Sequence, residues 1–195
     1  MPDPLTRLDA VAAGRIRLVG LDVDGVLTDG SVYVGQTADH PVELKRFQIQ
    51  DGLGLRLLAA AGIPVVLVSG RPSPATALRA RELHVDEVIQ DAGARKLPAF
   101  AALLARRALG WDECCFVGDD LPDLPLLRRV GLAVAVSNAV PEVRAAAHYL
   151  TAHAGGAGAV REVAEAILRA RGAWDGLIAD YLRQRGDVDD PVRSR

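Results

Sequence analysis

The sequence predicts a three-layer α/β fold: a central parallel sheet with helices on both faces, plus a β-hairpin insertion. Short apolar runs recur at Ile16–Leu21, Ile63–Val68, Cys114–Gly118 and Leu132–Val136, and a more polar strand is expected over Val85–Gln90. Runs that are continuously apolar rather than alternating mark strands buried on both faces. Segments of helical spacing separate them, which gives the β-α-β-α order of a parallel sheet. Half of the 195 residues are hydrophobic, a share and a length that suit one domain with a substantial core.

Taken in order, residues 1–14 carry weak helical spacing (Leu5, Leu8, Val11, Ala12) and are expected to form a loosely held leader. The main domain is expected over 15–172. Its first strand runs from Ile16 to Leu21, with Arg17 the one polar interruption, and ends in Asp22-Val23-Asp24-Gly25. Ser31–Val34 and Val42–Phe47, joined by the polar stretch Gln36–Pro41, read as a hairpin over about 31–47. Asp51 is expected to cap a helix from about Gly52 to Ala61, which Gly62 ends. The second strand stops at Ser69-Gly70-Arg71, and Ser73 with Pro74 starts a helix running to about His84. After the third strand a helix spans Lys96 to about Leu109, with Pro98 tolerated in its first turn. Cys114–Gly118 meets Asp119-Asp120-Leu121-Pro122-Asp123, then a short helix over Leu124–Arg129. Leu132–Val136 is the fifth strand, Asn138 is expected to cap a further short helix, and Tyr149–Thr151 is a candidate last strand. Gly155-Gly156-Ala157-Gly158 precedes a helix from Ala159 to Arg171. Residues 173–195 are expected to hold one more helix, over Trp174–Arg185, and a charged, disordered tail from Asp187.

The formal net charge is −2, so no basic excess points to nucleic acid or an anionic membrane surface. No apolar stretch is long enough to span a bilayer, and Met1-Pro2-Asp3-Pro4 lacks the layout of a signal peptide. The two cysteines, Cys114 and Cys115, are adjacent and cannot frame a disulfide-rich fold, which points to a reduced, cytoplasmic setting.

In an open α/β sheet, ligands bind past the carboxyl ends of the strands. Each polar feature at those ends has an ordinary reading by itself. Asp22-Val23-Asp24-Gly25 and Ser69-Gly70 suit turns, Asp119, Asp120 and Asp123 suit helix caps and first-turn acids, and Lys96 suits a surface position. Lys96 nevertheless begins a helix, where the dipole disfavours a cation. The joint placement decides: acids end strands one and four, a hydroxyl ends strand two, and a lysine begins helix three. Asp22 and Asp119 can hold a hard cation through oxygen, as Mg²⁺ prefers, and no histidine or thiol stands near to favour zinc. Ser69 and the amides of the glycine turn can bind phosphoryl oxygens, and Lys96 adds a point charge. That set suits attack by Asp22 on a phosphate, with an aspartyl-phosphate intermediate. Asp24 would protonate the leaving oxygen and later activate water.

These pieces together resemble the four motifs of the haloacid dehalogenase superfamily of phosphatases, with a three-layer Rossmann-like fold. The motifs are Asp22–Val26, Ser69-Gly70-Arg71, Lys96, and Gly118–Asp123. Leu27-Thr28-Asp29-Gly30, Glu43–Phe47 with Asp51-Gly52, and Gly155–Glu162 narrow the likeness to the capless 3-deoxy-D-manno-octulosonate 8-phosphate (KDO 8-phosphate) phosphatases over about 16–172. The resemblance implies a Mg²⁺-dependent hydrolase in lipopolysaccharide precursor synthesis. It implies metal binding by Asp22, Asp119 and the backbone carbonyl of Asp24, with Asp120 and Asp123 supporting them. It implies substrate contacts from Gln48, Ile49, Gln50, Asp51, Gly52, Arg56, Arg71, Arg79 and Lys96. It also implies a homotetramer in which a neighbouring subunit helps close each site. Related sequences commonly carry arginine where this chain has Ala157.

Two other readings stand beside this one. A phosphatase for a nine-carbon keto-sugar acid 9-phosphate shares the chemistry, but those relatives often have an acidic residue where this chain has Arg71. A non-catalytic partner built on the same fold would be expected to lack some of Asp22, Asp24, Lys96 and Asp119, and all are present.

Overall fold

The computed structural model describes residues 8–187. A short helix, α1 (Ala10–Arg15), capped by the Asp9 side chain, leads into the first strand, β1 (Leu18–Leu21). Ala13 of α1 is buried and the helix packs on α7 (Ala159–Ala170), so this part of the expected leader is anchored to the body. Ile16 N–H closes α1 on Ala13 O at 3.2 Å, which is why the strand begins two residues later than its apolar run.

The hairpin is β2 (Tyr33–Gln36) against β3 (Pro41–Leu44), antiparallel with Tyr33 opposite Leu44, and it forms a sheet of its own. The next elements are α2 (Ile49–Ala60), β4 (Val65–Ser69), α3 (Pro74–Glu82), β5 (Glu87–Gln90) and α4 (Lys96–Arg107). They are followed by β6 (Cys114–Gly118), α5 (Leu124–Leu127), β7 (Leu132–Ala135), α6 (Pro141–Ala146), β8 (Tyr149–Leu150), α7 and α8 (Trp174–Arg183). The main sheet has six strands in the order β5-β4-β1-β6-β7-β8, and every pairing is parallel.

β1, β4, β6 and β7 are buried along their whole length, as their unbroken apolar runs require. The half-buried β5 is one edge strand and β8 the other. Helices α1, α2, α7 and α8 pack together, and α4, α5 and α6 form a second group. Phe100 of α4 meets Phe116 edge-on, with ring centroids 5.7 Å apart. A Cβ on Gly20 would come within 2.7 Å of Phe116 and 2.9 Å of Phe100, so glycine leaves room for both rings against the central strand.

Two capping assignments are corrected. Helix α2 starts at Ile49, three residues early, with Gln48 before it. Asp51 lies inside its first turn and accepts the Arg161 N–H of α7 at 2.7 Å instead. Asn138 caps no helix, because α6 begins at Pro141. The expected disordered tail from Asp187 lies, beyond that residue, outside the described residues.

Candidate active site

Asp22 leaves the end of β1 with its N–H on Val117 O at 3.0 Å. β4 and β6 flank β1, so their carboxyl ends deliver Ser69-Gly70-Arg71 and Asp119 to the same rim. After Asp22 the chain bends through a wide turn closed by Thr28 N–H on Val23 O at 2.9 Å. The buried Thr28 hydroxyl donates to Val23 O at 3.2 Å and accepts from Gly30 N–H at 3.2 Å. Gly25 sits at φ +97°, and a Cβ there would lie 2.0 Å from Asp119 Oδ2. Glycine is therefore required both for the turn and for the approach of the fourth motif to the first.

Lys96, the first residue of α4, is buried. Its Nζ lies 2.6 Å from Asp22 Oδ1 and 2.7 Å from Asp123 Oδ1. Asp123 is buried too, and its Oδ2 accepts the Asp119 N–H at 3.0 Å, which shapes the turn carrying Asp119. Burial pushes the Asp22 carboxyl up to about 6, against the pull of Lys96. Burial also pushes Asp119 and Asp123 up to about 6, with neighbouring carboxylates adding to it. Burial acts to lower the Lys96 ammonium, but Asp123 and Asp22 outweigh it and its pKa is raised. Asp22, Asp119 and Asp123 each place a carboxylate oxygen within 4.8 Å of the others. Asp119 Oδ1 is buried without a hydrogen-bond partner. An all-oxygen, acidic set with an orphaned buried oxygen fits a hard divalent cation. Asp22 and Asp119 are the side chains that would hold it, since Asp123 is committed to Lys96 and to the Asp119 amide.

The cleft at this rim has a volume of about 180 Å³ and is lined by Asp22, Asp24, Gly70, Arg71, Lys96 and Asp119, among others. Asp24 carries two cations: Arg71 Nε lies 3.2 Å from Oδ2 and Lys45 Nζ 2.6 Å from Oδ1. Arg71 also pairs with Glu43 at 2.8 Å, and Glu43 takes the Ser73 hydroxyl. The Ser69 hydroxyl turns back on its own loop, donating to Arg71 O at 3.1 Å, so Gly70 rather than the Ser69 side chain faces the cleft. Asp120 is exposed, and its carboxylate accepts the Leu121 N–H at 2.8 Å.

The other residues expected at the substrate lie elsewhere within this chain. Gln50 lines a separate cleft of about 420 Å³ beside α7, together with Ala157 and Arg161. That cleft is larger, but none of Asp22, Asp119 and Asp123 lines it. Asp51 is wholly buried on the start of α7, and burial raises its carboxyl pKa. Arg56 sits in a groove with Asp180 and Tyr181 of α8. Ile49 is 82% exposed. Gly52 is backed by Leu83 and Arg79, and Arg79 pairs with Glu82 at 2.8 Å beneath the Phe47 ring.

Two participants escape sequence reasoning. Lys45 lies in a hairpin strand pattern that gives no sign of where its side chain goes. Asn138 donates to Gly25 O at 3.1 Å and accepts from Gly155 N–H at 2.7 Å, stapling the first motif to the glycine-rich turn. Its position just past β7, on the same rim, is the signal that could have found it. A Cβ on Gly155 would lie 1.7 Å from Gly25 O, so that turn packs directly on the first motif.

Residues 87–163 match the family model of haloacid dehalogenase-like hydrolases. The 3-deoxy-D-manno-octulosonate 8-phosphate phosphatase KdsC of Escherichia coli (strain K12) is 42% identical over 168 residues, 86% of this chain and 87% of that protein. The KdsC of Yersinia pestis is 40% identical over 164 residues, 84% of this chain and 86% of that protein. The crystal structure of the Moraxella catarrhalis phosphatase, in complex with magnesium ion, phosphate ion and KDO, superposes with a TM-score of 0.83 at 39% identity, covering 88% of this chain and 97% of that one. The cobalt-bound form of the Haemophilus influenzae phosphatase gives 0.75 at 34% identity, covering 83% and 92%.

Proposed function

This chain belongs to the 3-deoxy-D-manno-octulosonate 8-phosphate phosphatases of the haloacid dehalogenase-like hydrolases, and on that premise we propose how its residues hydrolyse KDO 8-phosphate to KDO and inorganic phosphate. The observation that carries the reading is the contact of the Asp22 carboxylate with the buried Lys96 ammonium at 2.6 Å, beside the orphaned Asp119 oxygen. Asp22 attacks phosphorus as the P–O bond to the sugar breaks, and the leaving oxygen takes its proton from Asp24. Water, giving its proton to Asp24, then attacks the aspartyl-phosphate and restores the Asp22 carboxylate. Lys96 holds Asp22 ionised and oriented, and lends positive charge to the incoming dianion. Asp22, Asp119 and the backbone carbonyl of Asp24 would hold Mg²⁺, which when bound would supply positive charge against the transferring group. Asp123 fixes Lys96 and the Asp119 amide, Asp120 closes the turn, and the Ser69 hydroxyl orders the loop whose Gly70 amide meets the phosphoryl oxygens.

Arg71 reaches the sugar acid, a planar oxyanion suited to guanidinium. The sugar extends from it toward the start of α2, where Gln48, Ile49, Gly52 and Arg79 stand. The reaction lies in lipopolysaccharide precursor synthesis, and its setting is the cytoplasm. In the described residues no helix is long and apolar enough to cross a membrane. Tyr33, Val34 and Leu44 of the hairpin and Ile49 beside it are exposed apolar residues, which supports a homotetramer whose neighbouring subunit covers the cleft. In such an assembly Gln50 and Arg56 reach a substrate only across a subunit contact.

A phosphate-release screen of the purified protein over sugar phosphates, with and without Mg²⁺, tests the assignment beside an Asp22→Asn control. The eight-carbon acid phosphate is expected to give the highest kcat/KM, above the nine-carbon acid 9-phosphates, and chelation is expected to abolish turnover. Undiminished phosphate release by Asp22→Asn would remove the nucleophile from the scheme.

A further inference from the structure

Lys45, at the foot of the hairpin just after β3, has a wholly buried side chain, 0% exposed. A lysine that only anchored a surface hairpin would run its stem along the protein and leave the ammonium in water. This one turns inward. Its Nζ lies 2.6 Å from Asp24 Oδ1 and 3.1 Å from Thr76 Oγ1. A buried ammonium is costly unless an acid compensates it, and Asp24 is its ion-pair partner among the described residues. Arg71, the other cation on Asp24, differs in kind: it is 39% exposed and divides its guanidinium between Asp24 and Glu43.

We propose that Lys45 is a positioning residue for the acid–base carboxylate. By holding Asp24 Oδ1 from the hairpin side, it makes Oδ2, whose partner in this chain is the partly exposed Arg71 Nε at 3.2 Å, the oxygen that passes the proton to the leaving group. Oδ1 is buried under the ammonium, while the side chain as a whole keeps a quarter of its surface on the cleft. The contact is an ion pair, and it sets the carboxylate's place through Oδ1. The hairpin thus contributes a group to the chemistry of its own subunit, apart from any part it plays between subunits. The inference rests on the acid–base role of Asp24 proposed above.

Leaving-group dependence tests it. Breaking the P–O bond of a sugar phosphate releases an alkoxide that needs a proton, whereas p-nitrophenyl phosphate releases a stable phenolate that needs none. Rapid mixing isolates the phosphorylation step for both substrates in wild type, Lys45→Met, Lys45→Arg and Asp24→Asn, and calorimetry gives Mg²⁺ affinity. For Lys45→Met, phosphorylation by KDO 8-phosphate is expected to slow about 100-fold, the low end of what acid–base catalysis contributes. The p-nitrophenyl phosphate burst, KM and Mg²⁺ affinity should each stay within about threefold, a change too small to reflect a lost contact, and Lys45→Arg should recover part of the rate. An equal loss on both substrates, or no loss on either, overturns the proposal. If Asp24→Asn is inactive on the sugar phosphate while Lys45→Met matches wild type, the inference alone fails. If Asp24→Asn keeps the wild-type rate, the acid–base reading fails and takes the inference with it. Should Lys45→Met not fold, Lys45→Gln carries the same comparison.

Discussion

At the scale of single residues, the site depends on how closely Asp119 can approach the Gly25 turn. A methyl group at Gly25 would meet both a positive φ of +97° and the Asp119 carboxylate at 2.0 Å. Gly25→Ala is expected to weaken Mg²⁺ binding at least about tenfold, equivalent to the roughly 1 kcal/mol of backbone strain together with the displaced ligand; titration calorimetry reads this directly. The raised carboxyls of Asp22, Asp119 and Asp123, each near 6 against an ordinary value of 3.8, set the sign of a second prediction. Between those values the folded metal-free protein binds more protons than the unfolded chain. Its stability therefore falls as pH rises through that window, and the penalty is complete above about 6. Carboxylates with lowered pKa, such as Glu43 and Glu162, act in the opposite sense only at more acid pH. In chelator the melting temperature should be higher at pH 5 than at pH 7. Mg²⁺ should raise it at pH 7 more than at pH 5, because protons compete with the cation. A metal-free melting temperature that climbs from pH 5 to pH 7 would contradict the buried-carboxylate account.

At the scale of elements, α7 has no capping side chain of its own, since Gly158 precedes it. Asp51, reaching from the first turn of α2, serves as that cap through Arg161 N–H at 2.7 Å. Asp51→Ala is expected to cost about 1–3 kcal/mol in urea unfolding, from the lost cap and the buried donors left unmet. Asp51→Asn, which keeps an acceptor, should cost less than half of that. Equal stability of Asp51→Ala and the wild type would mean that the cap contributes nothing. The consequence for the site is indirect. The turn that Asp51 helps hold is Gly155–Gly158, whose Gly156 N–H donates to Val26 O at 3.1 Å, so loosening α7 also loosens the first motif.

At the scale of the whole molecule, the single-chain cleft is shallow and its rim is partly exposed. Leu121 beside it is 54% exposed, and Val34 of the hairpin is 81% exposed. Exclusion of water by a second copy would be the physical reason for the assembly proposed above. Val34→Lys combined with Leu44→Lys places a charge on each face of the hairpin, since Val34 stands opposite Glu43 and Leu44 opposite Tyr33. The double variant is expected to sediment as a smaller species than wild type, with KM for the sugar phosphate raised about tenfold or more, the loss of about 1.4 kcal/mol of substrate binding. Unchanged sedimentation and unchanged KM would rule the hairpin out as the closing surface.

The sequence by itself determined the layered architecture. Runs such as Val65–Val68 and Cys114–Val117 are short and apolar at every position, the pattern of a strand covered on both faces. It also determined which motifs end those strands, because parallel strands bring their carboxyl ends to one edge wherever they lie in the order. Tertiary structure alone decided the partners. Asp51 reads locally as a cap for the helix it stands in, yet it caps α7, 110 residues away in sequence. Asn138 reads as another cap, yet it bridges Gly25 and Gly155. Lys45 carries no local signal and ends up on Asp24. Periodicity reports which face of an element is buried. Where a long polar side chain then finds its partner depends on how distant elements pack, and only the folded chain fixes that.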